Sequence, residues 1–234
     1  SKAKNWGHDL ELMSNLVDDK TKLVFIASPN NPTGTAKTLT EIKDFLDNLS
    51  DDILVFLDQA YFEYIEGSEF DIPFSLISDH PNLVISRSFS KAHGLAALRL
   101  GFCVSNPELS DYLNRVRQPF NANSLALDLG KIALADQEHI SKSVKINSDG
   151  MDKVKKAFVN LNYNFIESWG NFISFDAKQD SDVAFQYFLE RGVILRSLKV
   201  YEMPQHLRVS IGTEEEMNFF LQVLEDYEKD LSKK

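Results

Sequence analysis

The chain alternates short, continuous apolar runs with segments whose apolar residues recur every three or four positions. Four runs have strand length: K-L-V-F-I-A-S (22–28), I-L-V-F-L-D (53–58), N-L-V-I-S-R-S (82–88) and L-G-F-C-V-S (100–105). Between the first two, residues 38–49 place Leu39, Ile42, Phe45, Leu46 and Leu49 on one helical face, with Thr38 or Thr40 as N-cap. Runs without polar alternation predict strands buried on both faces. The implied fold is α/β, a mostly parallel sheet flanked by helices. Asn106-Pro107 opens a further helix, and Pro-Phe-Asn at 119–121 breaks the pattern. Residues 123–161 then read as long helical material interrupted near Asn147–Gly150.

Beyond that point the pattern changes. N-F-I-S-F-D (171–176), V-I-L-R (193–196) and H-L-R-V-S-I-G (206–212) read as short strands around a helix at 181–191. A last helix over 213–227 starts at Thr213 with acids in its first turn. This is a smaller α+β unit. The expected division is a larger domain over 1–145 and a smaller one over 146–234.

Composition narrows the function. The 234 residues are 43% hydrophobic and 26% charged, with a net charge of −10. A packed core is possible, and the acidic balance argues against nucleic-acid and anionic-membrane partners. No apolar run approaches the roughly 18 residues of a membrane helix. The opening S-K-A-K-N-W-G-H-D lacks an apolar signal region, so a cytoplasmic location is expected. Cys103, the single cysteine, falls in an apolar strand and is expected to be an inert core thiol. His8, His80, His139 and His206 lack metal-ligand spacing, so no metal is expected.

In an open parallel sheet, ligands bind beyond the carboxyl ends of the strands. Here those ends read S-P-N-N-P-T-G, D-Q-A-Y and S-R-S-F-S-K. Taken singly, each is ordinary: a turn, a helix cap, a solvated lysine. Their succession at three strand ends points to one crevice. No G-x-G-x-x-G follows the first strand, which argues against a dinucleotide site.

With S-P-N-N-P-T-G-T, L-D-Q-A-Y-F-E-Y, R-S-F-S-K-A-H-G-L-A-A-L-R-L-G-F, R-Q-P-F-N, G-V-I-L-R and L-R-V-S-I-G-T-E-E-E, the chain resembles the fold-type I, pyridoxal-phosphate-dependent aminotransferases of class I/II. Among these it is most similar to the histidinol-phosphate aminotransferases. The resemblance implies a Schiff base between Lys91 and pyridoxal 5'-phosphate, with the lysine amine later moving a proton on the substrate. It implies that Asp58 pairs with the pyridine nitrogen, keeping the ring an electron sink. Tyr61 and Asn31 would hydrogen-bond the cofactor's phenolate oxygen. Ser88, Ser90 and Arg99 would hold its phosphate through charge-assisted bonds. Arg208, with Arg196 as second candidate, would bind the substrate's anionic end; the plainer reading of Arg196 is a surface ion pair. His93 is expected to pack or to lie behind the site.

The implied reaction passes an amino group from histidinol phosphate to 2-oxoglutarate in a homodimer. Other reactions on the same fold stay open: transamination of aromatic or other amino acids, decarboxylation of phosphorylated threonine, or an inactive remnant. Three departures from the family pattern stand out. Nothing before Lys22 resembles the family's phosphate cradle at a helix N-terminus, or its stacking ring. The expectation is therefore that these residues alone hold the cofactor weakly and do not turn over. Gln59 stands where relatives often have Glu and is expected to point away from the site. Glu202-Met203 replaces a more usual glycine-containing pair, which bears on the substrate entrance.

Overall fold

The computed structural model describes residues 6–233. Its first sheet has the order β1 (Leu23–Ala27), β2 (Leu54–Asp58), β3 (Leu83–Ser88), β4 (Gly101–Val104). β1, β2 and β3 run parallel, and β4 joins antiparallel to β3. The connections follow from the sequence. A short helix α1 (Leu10–Asn15) precedes β1, and α2 (Leu39–Asp47) carries the chain over to β2. Thr38 starts α2 with a capping box, its hydroxyl on the Glu41 N–H and the Glu41 carboxylate on the Thr38 N–H. The apolar stripe of α2, Ile42, Phe45 and Leu46, packs on Val24, Ile26, Val55 and Leu57. A one-turn helix α3 (Leu76–Asp79) leads into β3.

One face of this sheet packs on a core; the other is open on β1 and β4 but closed over Val84 of β3. Phe25 on β1 is 65% exposed, Leu23 is exposed beside it, and Cys103 on β4 is exposed. The expectation of strands buried on both faces holds for β3, where Leu83, Val84 and Ile85 are all buried, and fails for β1; Cys103 is exposed and is not the core thiol expected. Alternate residues of β1 face a core, and the opposite side of that strand is exposed.

α4 (Pro107–Val116) begins at the Asn106 cap, and α5 (Ser124–Ala135) at the Asn123 cap. α6 (Gln137–Asn160) is one continuous helix of 24 residues. The expected break near Asn147–Gly150 does not occur; the chain breaks at Asp136, which ends α5 and caps α6 through the His139 N–H. Gly150 is there for packing: a Cβ on it would stand 2.6 Å from Cγ2 of Ile211.

The second sheet has the order β5 (Phe165–Ile166), β6 (Phe172–Asp176), β8 (His206–Ser210), β7 (Arg196–Ser197), all antiparallel. The expected strand at 193–196 pairs only from Arg196, with Val193 and Leu195 buried in the core ahead of it. α7 (Ser181–Glu190) and α8 (Glu214–Leu231), the latter capped by Thr213, cover the sheet with the second half of α6. Phe158, Phe175, Phe188, Phe220 and Tyr227 stack through this core. Among the described residues, no helix is long and apolar enough to cross a membrane.

The two sheets meet at the loop after β1. Ser174 donates to the Pro32 carbonyl at 2.6 Å, and the Trp169 N–H to the Gly34 carbonyl at 2.9 Å. Gly34 has φ +82°, and a Cβ there would come within 2.9 Å of the Ser168 backbone. The N-P-T-G segment is therefore more than a turn, since its glycine lets the second sheet's entry loop lie against it.

Candidate active site

Because β1, β2 and β3 are parallel, their carboxyl ends open on one edge, with Ala27 beside Asp58 and Asp58 beside Ser86. Asp58 is the last residue of β2 and is partly buried. Its Oδ1 accepts from the Ala60 N–H at 3.0 Å and from the Ser86 hydroxyl at 3.3 Å. Among the described residues no hydrogen bond reaches Oδ2, so one oxygen is held and the other is free for a ligand N–H.

Three residues on, Tyr61 is buried at the entrance to a single 3₁₀ turn, Phe62–Tyr64. Its ring meets the edge of Phe172, the first residue of β6, at 5.2 Å between centroids and 80°. The Lys91 amine lies 5.0 Å from the Tyr61 ring centroid. On the far side, the Arg208 guanidinium stands 4.9 Å from the Phe172 ring and donates through Nη1 to the side-chain Oδ1 of Asn31. Lys91, Tyr61, Phe172, Arg208 and Asn31 thus form one run that spans both sheets.

The remaining sequence-predicted residues flank it. Ser88 ends β3, and its hydroxyl accepts from the Ser90 N–H at 3.0 Å. Ser88 pairs with Gly101 and Phe89 N–H bonds the Leu100 carbonyl, which brings Arg99 back beside this turn. Arg99 is exposed, has a left-handed backbone with φ 52°, and donates from Nη1 to the Ala96 carbonyl at 2.8 Å. Arg196 lies opposite Arg208 across the β7–β8 pair and is exposed. Like charges directly opposite repel unless an anion lies between them. Among the described residues, Lys91, Arg99, Arg196 and Arg208 enter no ion pair. Nε of Arg208 is buried with no hydrogen-bond partner. Unpaired guanidinium groups, hydroxyls at a strand end and a half-used carboxylate suit a ligand with anionic ends and a protonated ring nitrogen.

Several neighbours could not be read from the sequence. Phe172 was legible as a strand residue, but nothing in its pattern tied it to Tyr61 and Arg208. Gln59 is fully buried and does point away from Asp58 and Tyr61. Its Oε1 accepts from Nε and Nη2 of Arg87, both at 3.3 Å. The Arg87 guanidinium is stacked on Phe62 at 3.4 Å and lies 4.3 Å from the Phe74 ring. Burial pushes the Arg87 pKa down, against the pull of Glu63 and Asp71. His93 packs on Phe89 and approaches Glu63. Glu202 takes a left-handed backbone, φ 59°, which explains why a glycine suits that position. Met203 is buried with Leu198 and Ile166.

The profile of the family "Aminotransferase class I and II" matches residues 1–224, and the chain belongs to that family. Its curated relatives include "Histidinol-phosphate aminotransferase 1" of Nitrosococcus oceani, 47% identical over 223 residues, and "Histidinol-phosphate aminotransferase 2" of Pseudomonas fluorescens Pf0-1, 48% identical over 222. Each alignment covers 95% of this chain and 60% of the relative, so the chain spans about three fifths of their length. Among solved structures, the histidinol-phosphate aminotransferase of Sinorhizobium meliloti, in complex with pyridoxal-5'-phosphate, superposes with a TM-score of 0.89. It is 25% identical, and the match covers 98% of this chain and 63% of that one.

Proposed function

We propose that the protein is a pyridoxal 5'-phosphate-dependent aminotransferase that takes the amino group of histidinol phosphate, with 2-oxoglutarate and glutamate as the partner pair, in histidine biosynthesis. In this reading it works in the cytoplasm as a homodimer, and residues 1–145 and 146–234 act as its large and small domains. The observation that carries the proposal is the run from Lys91 through Tyr61 and Phe172 to Arg208. It puts an amine and a guanidinium, neither in an ion pair among the described residues, on either side of two aromatic rings.

When bound, pyridoxal phosphate supplies an electron sink that lets a proton leave the substrate's reacting carbon. Asp58, held at Oδ1, would keep a proton on the ring nitrogen through Oδ2. Ser88, Ser90 and Arg99 would grip the phosphate with hydroxyl and guanidinium donors. Tyr61 and Asn31 would orient the ring oxygen. Lys91 would carry the migrating proton at its Nζ. Arg208, with Arg196 opposite, would fix the substrate's carboxylate or phosphate and so select which bond lies perpendicular to the ring. The basic pair would accept either anion, so this geometry suits both phosphorylated and carboxylated donors.

The half-reaction tests the donor. Protein saturated with pyridoxal phosphate is mixed with histidinol phosphate, and the aminated cofactor is measured in the filtrate. Conversion with histidinol phosphate ahead of aromatic amino acids supports the proposal. Preference for an aromatic donor, or carbon dioxide release from phosphothreonine, would replace it.

A further inference from the structure

Two residues beyond Tyr61 stands Glu63, and two residues beyond Lys91 stands His93. Their side chains meet: Nε2 of His93 lies 3.5 Å from Oε1 of Glu63, with side-chain exposures of 7% and 12%. The imidazole is also pinned against Phe89 at 4.9 Å between ring centroids. Nδ1 of His93 and Oε2 of Glu63 are both buried without a partner. Burying a carboxylate and an imidazole with half their polar atoms unsatisfied is costly. A surface or purely packing role would be met better by apolar side chains of the same size.

The backbone explains what the contact joins. Glu63 sits in the 3₁₀ turn that carries Tyr61, after β2. His93 sits in the turn that carries Lys91, after β3, closed by the Gly94 N–H on the Lys91 carbonyl at 2.9 Å and the Leu95 N–H on the Phe89 carbonyl at 2.9 Å. Neither turn belongs to a strand ladder. Tyr61 and Ala92 also pack in one apolar cluster, but apolar packing permits sliding that a buried imidazole–carboxylate contact resists.

We infer that Glu63 and His93 are a positioning pair that locks the Lys91 turn to the Tyr61 turn and so sets the distance between the amine and the tyrosine. The inference rests on the cofactor reading above. The charged and titratable neighbours of the pair are Arg87, whose charge acts on Glu63, and Tyr64. Burial pushes the Glu63 carboxyl up, while His93 and Arg87 pull it down.

The test uses the full chain loaded with pyridoxal phosphate, in wild type, Glu63→Gln, Glu63→Ala, His93→Ala and the double alanine variant. Three quantities are read: the cofactor dissociation constant by fluorescence, the pH midpoint of the bound cofactor's absorbance band, and the unfolding midpoint without cofactor. Each alanine variant should weaken cofactor binding by about threefold to tenfold and move the band midpoint, and the double variant should add little to either single one. Glu63→Gln, which keeps the shape and one acceptor, should fall between wild type and Glu63→Ala. Unchanged band midpoints, or single effects that simply add, would overturn the inference, as would losses that track unfolding alone. A wild-type protein that shows no cofactor band would instead remove the cofactor reading beneath it.

Discussion

The two sheets differ in how their apolar residues are used. In the second sheet, β6 is buried along Phe172–Phe175, and helices α6, α7 and α8 enclose a core in which Phe175 is 0% exposed. In the first sheet, Ile26 is buried while its neighbour Phe25 is 65% exposed. β1 is a continuous apolar run, whereas β6 carries Ser174 among its apolar residues and is still buried on both faces. An apolar run therefore specifies strand structure and a demand for cover on each side, but which sides are met depends on the rest of the fold. The site lies where the closed unit touches the half-open one, with Phe172 supplying the contact.

Substitutions should separate the two regions. The largest effect is expected from Phe175→Ala, which empties the aromatic stack between Phe158, Tyr163 and Phe220. A loss of about 3–5 kcal/mol is predicted from denaturant unfolding. Gly150→Ala should come next, since its new methyl would press on Ile211; a loss of about 1–3 kcal/mol is expected, with relief in a Gly150→Ala, Ile211→Val double variant. If the single variant is as stable as wild type, α6 and the loop after β8 are less tightly packed than described.

A pH effect should follow from one partly buried histidine in each unit. Burial lowers the pKa of His8, whose Nε2 accepts from the Ala27 N–H at 3.2 Å, beside Lys37. His206 is lowered by burial as well. A folded-state pKa below the unfolded 6.5 means the unfolded chain binds the extra proton first, so stability is complete above about pH 6.5 and falls as the pH drops below it. Unfolding curves between pH 7 and 5 should show that slope, and His8→Gln should flatten part of it. The smallest effect is expected from Phe25→Ser on the uncovered face, about 0.5 kcal/mol or less by the same measurement. A loss comparable to that of Phe175→Ala would show that this face is packed after all.

Much of this was legible in the sequence. Asn106 and Thr213 marked helix starts, and Thr38 was one of two candidates with Thr40, because a capping side chain acts locally, within three residues. Asp58, Tyr61, Ser88 and Lys91 were readable as a set because parallel strands put their carboxyl ends on one edge. The misreadings were non-local. Gly150 looked like a helix break, yet its partner is Ile211, some sixty residues away in the chain. Cys103 looked buried because its neighbours are apolar, whereas exposure depends on what lies over the sheet. Phe172, Glu63 and His93 gained meaning only through contacts between segments, which no spacing rule encodes.

The central claim is that Lys91 is the residue the cofactor bonds. The most direct measurement is borohydride reduction of the chain with pyridoxal phosphate, followed by peptide mass spectrometry. The account predicts that the fixed adduct falls on Lys91 ahead of every other lysine, and that Lys91→Ala abolishes this selective label. Label spread evenly over surface lysines, or retained at one other site in Lys91→Ala, would contradict it.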